Sequence, residues 1–213
     1  MTGVQTCALP ILSPEDIDVV LMTHMHHDHS GGLTYVNDQG KLVSKYPNAK
    51  IIVNDVEWYE MRNPNNRTRG TYLRENWEPI QDQVTTFSEY INVIPEIQMI
   101  HTSGHSNGHS IILLKQGKDT MIHMGDLMLS HVHRNPLWVP AVDDYPMKSI
   151  LAKEKWLRQA FENHYKFFFY HDQFFAVVEF DKDGKEFVDY VLRSRPPLIP
   201  FTDQQDRKPD FLG

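Results

Sequence analysis

The stretch VVLMTHMHHDHSGG, residues 19–32, places four histidines and one aspartate within six residues, directly after an apolar run. The preceding segment IDVVLMT, residues 17–23, has the length and composition of a short buried strand. Side chains two residues apart point the same way at the end of a strand. We therefore expect His24 and His26 to face in one direction.

The donor atoms in this stretch are suited to divalent metals. Neutral imidazole and carboxylate groups are ligands of Zn²⁺ and related cations. Asp28 and His29 follow the predicted strand, so a turn can direct them toward a second metal position. One cluster of this kind supplies part of two metal sites, and the remaining donors must come from elsewhere in the chain.

Three further donors follow apolar strands later in the sequence, at the kind of position where layered folds commonly build their sites. They are His105 in HTSGHSNGHS (101–110), Asp126 in MIHMGDL (121–127) and His171 in FFFYHD (167–172).

Composition limits the functional classes. The 213 residues have a net charge of −7 and a hydrophobic content of 40%, which predicts one ordinary globular domain and disfavours a nucleic-acid partner. No apolar run approaches the roughly 18 residues that span a bilayer, so no membrane partner is expected. Cys7 is the only cysteine, which excludes a disulfide within one chain and a thiolate metal cluster.

Residues 1–11, MTGVQTCALPI, resemble the translation of a common sequencing adapter, and we interpret them as a non-native segment. The alternative is a natural disordered terminus. On the first interpretation Cys7 has no functional meaning and the natural protein begins upstream. We then expect a cytoplasmic protein, with a signal peptide at the natural start left open.

Periodicity predicts alternating strands and helices, and hence an α/β sandwich with sheets inside and helices outside. The predicted helices are 55–62, 71–84 as far as Pro79, and 146–163; the predicted strands are 17–23, 49–54, 91–94, 97–102, 110–115, 120–124, 166–171, 174–181 and 185–192.

Four elements in order, HMHHDH, SGHSNGH, GDL and YHD, resemble the motifs of the metallo-β-lactamase-fold hydrolases from about Leu12 to about Val191. The resemblance implies an αββα sandwich over residues 12–195 whose beginning is missing, followed by an irregular tail at 196–213. It also implies a ligand set: His24, His26 and His105 for metal one, Asp28, His29 and His171 for metal two, and Asp126 as the bridge.

Such a site is expected to hold two divalent ions, Zn²⁺ or alternatively Mn²⁺ or Fe²⁺, and to supply hydroxide near neutral pH. Asp28 and Asp126 are the expected catalytic residues. The segments TYLRENWEPIQDQV, GHSNGHS and GDLMLSHVHRN with DDYP are similar to the quorum-quenching N-acyl-homoserine-lactone lactonase branch. That similarity implies a small-molecule ester or lactone substrate, whose ring a metal-bridging hydroxide opens.

Some lactonases of this kind carry a tyrosine shortly after the bridging aspartate, where this chain has Leu127, Met128 and Leu129. Assistance to the substrate carbonyl is therefore absent or comes from elsewhere. We expect substrate contacts from His131, His133, Tyr72 and Leu129, and we expect His109 to orient the loop of His105 rather than to bind metal. The other histidines, His27, His101, His123 and His164, are interpreted as structural.

The sequence leaves several alternatives open. A phosphotriesterase, another ester hydrolase or a glyoxalase-type thioesterase could use the same site. A non-catalytic metal-binding relative or a truncated fragment belongs to a different class. The metal, the acyl-chain preference and the oligomeric state are not determined.

Overall fold

The structure is a computed structural model that describes residues 12–193. The predicted non-native segment with Cys7 and the predicted tail at 196–213 lie outside the described residues. Within the described range there are three α-helices: α1 (His27–Ser30), α2 (Asp55–Arg62) and α3 (Pro146–Glu162). The same range contains twelve strands: β1 (Val19–Leu21), β2 (Thr34–Val36), β3 (Leu42–Ser44), β4 (Lys50–Asn54), β5 (Val84–Phe87), β6 (Tyr90–Ile94), β7 (Ile97–His101), β8 (Ser110–Gln116), β9 (Asp119–His123), β10 (Lys166–Phe168), β11 (Phe175–Phe180) and β12 (Phe187–Leu192).

Two sheets dominate the fold. The smaller has the order β1-β4-β5 and is parallel throughout, and the larger has seven strands in the order β12-β11-β10-β9-β8-β7-β6. Every neighbouring pair in the larger sheet is antiparallel except β9 and β10, which are parallel and are connected through α3. A separate two-stranded hairpin joins β2 and β3.

Alternation along the central strands creates the layers. In β4, Ile51 and Val53 pack with Trp58 and Met61 of α2, whereas Ile52 packs with Met99 of the larger sheet. Successive side chains of a strand point to opposite faces, so a strand buried on both sides is continuously apolar.

The same alternation in β8 completes the arrangement. Ile112 faces the smaller sheet, while Ile111 and Leu113 join the cluster that contains Trp156 and Leu157 of α3. The order of layers is therefore α2, smaller sheet, larger sheet, α3, which is the predicted αββα sandwich. Burial of each large side chain contributes about 1.5–3 kcal/mol to this packing.

Local signals explain where the helices begin. The side chain of Asn54 caps α2 by accepting a hydrogen bond from the backbone of Val56 at 3.0 Å, and Pro146 is the first residue of α3. Among the described residues no helix combines the length and the apolar character needed to cross a bilayer.

The prediction for residues 71–84 was wrong. Instead of an α-helix, this segment contains two 3₁₀ segments, Arg74–Asn76 and Glu78–Gln83, and it leads into β5. Pro79 lacks the amide hydrogen that a longer helix needs, and β5 gains its hydrogen bonds from parallel pairing with β4. The hairpin of β2 and β3 was also missed, because three-residue strands have no readable period.

Candidate metal centre

The histidine-rich loop lies between β1 and α1. Strand β1 ends at Leu21, so the predicted strand to Thr23 was too long, and the loop rather than the strand directs His24 and His26. Both side chains are buried, and their rings lie edge to face at 4.6 Å between centroids. The Nδ1 atom of His24 is hydrogen-bonded to the hydroxyl of Thr23 at 3.2 Å, which leaves its Nε2 free.

His105 joins this pair from the loop between β7 and β8. Its Nε2 lies 3.0 Å from Nδ1 of His26, and one donor atom from each of His24, His26 and His105 falls within 4.8 Å of the others. We call these three residues the trio. The loop turns at Gly104, whose φ of +108° is a conformation that few other residues adopt.

The other four predicted ligands form a second group. Asp28, His29, Asp126 and His171 each place a donor atom within 4.8 Å of the others, and we call them the quartet. Helix α1 carries Asp28 and His29, and the Nε2 atoms of His29 and His171 lie 3.2 Å apart. The side chain of Asp28 is 42% exposed, so the quartet is more exposed than the trio, whose three residues are all buried.

Asp126 lies between the two groups, and its two oxygens divide between them. Oδ2 is 3.8 Å from Nε2 of His24 and 3.4 Å from Nε2 of His105. Oδ1 is 3.2 Å from Nε2 of His29 and 3.4 Å from Nε2 of His171. A carboxylate in this position can bridge two cations.

The cluster fits a metal site by its own chemistry. Nε2 of His24, Nε2 of His26 and Oδ1 of Asp126 are buried atoms without a hydrogen-bond partner among the described residues, and such atoms are costly unless something binds them. Burial lowers the pKa of His24 well below its usual value and that of His26 to about 3, which keeps both imidazoles neutral, as metal binding requires.

The charge on Asp126 is complementary to a cation. Burial alone would raise the pKa of Asp126, but the neighbouring imidazoles of His171, His29 and His24 hold it far below the usual range. The bridge is therefore an ionised carboxylate at neutral pH.

His109 contacts both the bridge and the loop of His105. Its Nε2 accepts a hydrogen bond from the backbone amide of Asp126 at 3.2 Å, and its Nδ1 contacts the hydroxyl of Thr102 at 3.0 Å. Burial lowers the pKa of His109 well below its usual value, which matches the neutral ring that this acceptor role needs.

Three buried carboxylates beside the ligands were missed by the sequence reasoning. The Nδ1–H of His105 donates to Asp143 at 2.8 Å, and that of His131 donates to Asp172, the neighbour of His171, at 2.6 Å. The third, Glu57, accepts a hydrogen bond from the backbone of Met25 at 2.8 Å. A charged residue on the apolar face of a predicted helix was the one available signal for Glu57.

A cleft of about 480 Å³ opens over the cluster. His26, His105, Asp28 and Asp126 form part of its wall, and the remainder consists of His27, Arg67, Thr68, Thr71, Ala141, Val142 and Asp144. His27, which we had interpreted as structural, therefore faces the cleft. Arg67 holds the two sides together by an ion pair with Asp144 and hydrogen bonds to the carbonyls of Val142 at 3.2 Å and Asp143 at 3.1 Å.

The four expected substrate contacts, Tyr72, Leu129, His131 and His133, do not line this cleft. The hydroxyl of Tyr72 donates to Glu57 at 2.9 Å, and its side chain is 4% exposed. The ring of His131 is held by Asp172, and that of His133 contacts the hydroxyl of Ser130 at 2.9 Å. For Leu129, His131 and His133, a sequence position close to Asp126 did not imply a position in the cleft.

An αββα sandwich with a histidine and aspartate cluster at one edge of its sheets defines a fold class, the metallo-β-lactamase fold. The sequence matches the metallo-beta-lactamase superfamily over residues 9–171, and the chain belongs to that superfamily.

The individual relatives share at most moderate sequence identity with this chain, and each is longer than the part that the chain matches. The chain is 29% identical to an N-acyl homoserine lactonase of Bacillus cereus over 109 residues, which are 51% of this chain and 37% of that protein. The crystal structure of a probable metal-dependent hydrolase from Staphylococcus aureus matches with a TM-score of 0.83 at 40% identity and covers 88% of this chain and 66% of its own. The chain thus spans little more than a third of the curated lactonase.

A dizinc quorum-quenching lactonase, solved in complex with a product, matches with a TM-score of 0.70 at 20% identity, over 87% of this chain and 67% of that one. At this identity the likeness shows the fold alone.

Proposed function

We propose that the protein is a metal-dependent hydrolase that binds two divalent cations and opens the ring of N-acyl-homoserine lactones. The observation that carries the two-metal site is the division of the Asp126 oxygens, one facing the trio and one facing the quartet. A single-metal site would have no use for two separate groups of donors joined by one carboxylate.

The trio would hold one cation and Asp28, His29 and His171 the other, with Asp126 shared. When bound, such a pair lowers the pKa of water to near neutrality and stabilises negative charge on a substrate oxygen. Zn²⁺ is the cation we expect, because imidazole and carboxylate ligands suit it.

The chain itself positions the substrate and moves the proton. Asp28 lies in the wall of the cleft, where its exposed carboxylate can accept a proton from the attacking water. Asp126 and its partners stay fixed, since the backbone amide of Asp126 is held by His109. Among the described residues, those that line the cleft include no serine or cysteine, so the geometry favours direct attack by water over a covalent acyl intermediate.

The lactone is supported by the curated relative of Bacillus cereus, which is named an N-acyl homoserine lactonase. The volume of about 480 Å³ lies within the range that small-molecule sites commonly have.

The experiment measures hydrolysis of N-hexanoyl-homoserine lactone and of an aryl phosphotriester by the Zn²⁺-loaded protein, together with its metal content. We expect two equivalents of metal and a preference for the lactone. His26→Ala and Asp126→Ala should reduce lactone hydrolysis to the background rate. His164→Asn is the matched control, because His164 is exposed and contacts only Glu179 at 3.4 Å among the acidic side chains.

Two results would contradict the proposal. Wild-type activity in both His26→Ala and Asp126→Ala would exclude the cluster as the active site. Faster turnover of the phosphotriester than of the lactone would retain the hydrolase but replace its substrate.

A further inference from the structure

Glu57 is a carboxylate with no exposed surface, and it lies outside the cleft. It occupies the first turn of α2, where the positive end of the helix dipole favours a negative charge. Burial of a charge is unfavourable by several kcal/mol unless hydrogen bonds compensate for the lost water. The hydrogen bonds of Glu57 therefore identify the groups that compensate for its burial.

Three donors surround this carboxylate. Oε1 accepts hydrogen bonds from the backbone amide of Met25 at 2.8 Å and from the hydroxyl of Tyr72 at 2.9 Å. Oε2 accepts a hydrogen bond from the hydroxyl of Ser106 at 2.6 Å. Each of these groups is also buried, so none of the three has water as an alternative partner.

Two of the partners of Glu57 are sequence neighbours of the trio. Met25 lies between His24 and His26 in the chain, and Ser106 follows His105. One carboxylate thus joins the two loops that carry the whole trio. None of its three partners is adjacent in sequence to a member of the quartet.

The helix beneath this contact is closely packed. A Cβ atom added to Gly108 would lie 2.1 Å from the backbone nitrogen of Glu57, so the loop of His105 rests directly on the backbone of α2. A ligand loop that is fixed to a helix holds its geometry better than a free loop does.

We propose that Glu57 is a positioning residue that sets the spacing of the trio and thereby the metal affinity of that half of the centre alone. This inference rests on the proposed two-metal function. Asp172 has the corresponding place beside the quartet, where it follows His171 and accepts hydrogen bonds from the amides of His131 at 2.8 Å and Phe174 at 2.8 Å.

The test is a titration of the metal-free 213-residue protein with Co²⁺ in competition with a chromophoric chelator. We expect two equivalents in the wild type. Glu57→Gln should weaken one of them by about 10–100-fold and leave the other unchanged, the usual size of an effect on a residue that supports a ligand. Glu60→Gln is the matched control, because Glu60 lies on the same helix and binds Asn107 of the same loop at 2.8 Å, yet contacts neither Met25 nor Ser106.

Two second-site variants show which of the two metal ions is bound more weakly. With His171→Ala, which damages the quartet, Glu57→Gln should still weaken the remaining equivalent. With His24→Ala, which damages the trio, Glu57→Gln should have no effect. A milder variant, Ser106→Ala, leaves the buried charge in place and should weaken the same equivalent about fivefold, as expected for one net hydrogen bond.

The outcomes separate this inference from the proposed function. Unchanged affinities in both Glu57→Gln and Ser106→Ala overturn the inference. Equal weakening of both equivalents, with a lower unfolding midpoint of the metal-free protein, also overturns it, because Glu57 then supports the fold in general. If the wild type binds only one equivalent, the two-metal function fails; a loss in Glu57→Gln but not in Glu60→Gln then supports the role of Glu57, and no loss refutes it.

Discussion

Gly108→Ala is expected to destabilise the protein because the new methyl group meets the backbone of α2. Its Cβ would lie 2.1 Å from the nitrogen and 2.5 Å from the Cα of Glu57, about 1.3 Å and 0.9 Å short of the 3.4 Å at which such contacts become ordinary. Backbone atoms of a packed helix cannot rotate away, so the loop and the first turn of α2 must separate.

The magnitude follows from two costs. Overpacking of this kind destabilises by about 1–3 kcal/mol, and the separation also weakens the hydrogen bond between Glu57 and Ser106, which contributes about 1 kcal/mol. We expect the free energy of unfolding to fall by about 3 kcal/mol. For a domain of this size that corresponds to a decrease in Tm of about 6–12 °C.

Urea unfolding followed by tryptophan fluorescence measures this change, since Trp58 of α2 is buried against β4. Gly32→Ala is the control, because its Cβ would meet no atom within 4 Å. That variant should match the wild type or gain up to about 1 kcal/mol from reduced freedom of the unfolded chain. If Gly108→Ala unfolds within about 0.5 kcal/mol of Gly32→Ala, the close contact with α2 does not exist in solution.

Two further predictions concern buried charges. Asp143→Asn should weaken Co²⁺ binding by about 10–100-fold, because His105 loses its charged partner, whereas Asp144→Asn should not; equal affinities in a chelator competition would contradict this. Burial lowers the pKa of Lys153 from 10.5 to about 8, so the unfolded chain binds the extra proton between these values and stability rises with pH across that window. Lys153→Met should remove this increase in urea unfolding at pH 7, 8.5 and 10, and an identical pH dependence in both proteins would refute the assignment.

Much of the fold follows from local patterns in the sequence. The continuous apolar run of β8 and the helical spacing of α3 were read correctly, because long elements repeat their period several times. The αββα order was likewise expected from the resemblance. Strand β5 was not, since its four residues become a strand only through pairing with β4.

The candidate ligands could also be predicted from the sequence, because the motifs HMHHDH, GHSNGH, GDL and YHD contain imidazole and carboxylate side chains. The sequence by itself thus determined which side chains can bind metal and in which order they occur. Only the tertiary structure brought the trio and the quartet together and turned one oxygen of Asp126 toward each.

The supporting residues depended on the tertiary structure entirely. Glu57 meets Met25 from 32 positions away and Ser106 from 49, and Tyr72 and His131 are held by carboxylates instead of lining the cleft. No local period records such pairings. They arise because a buried polar group must find a partner wherever the packed layers place one.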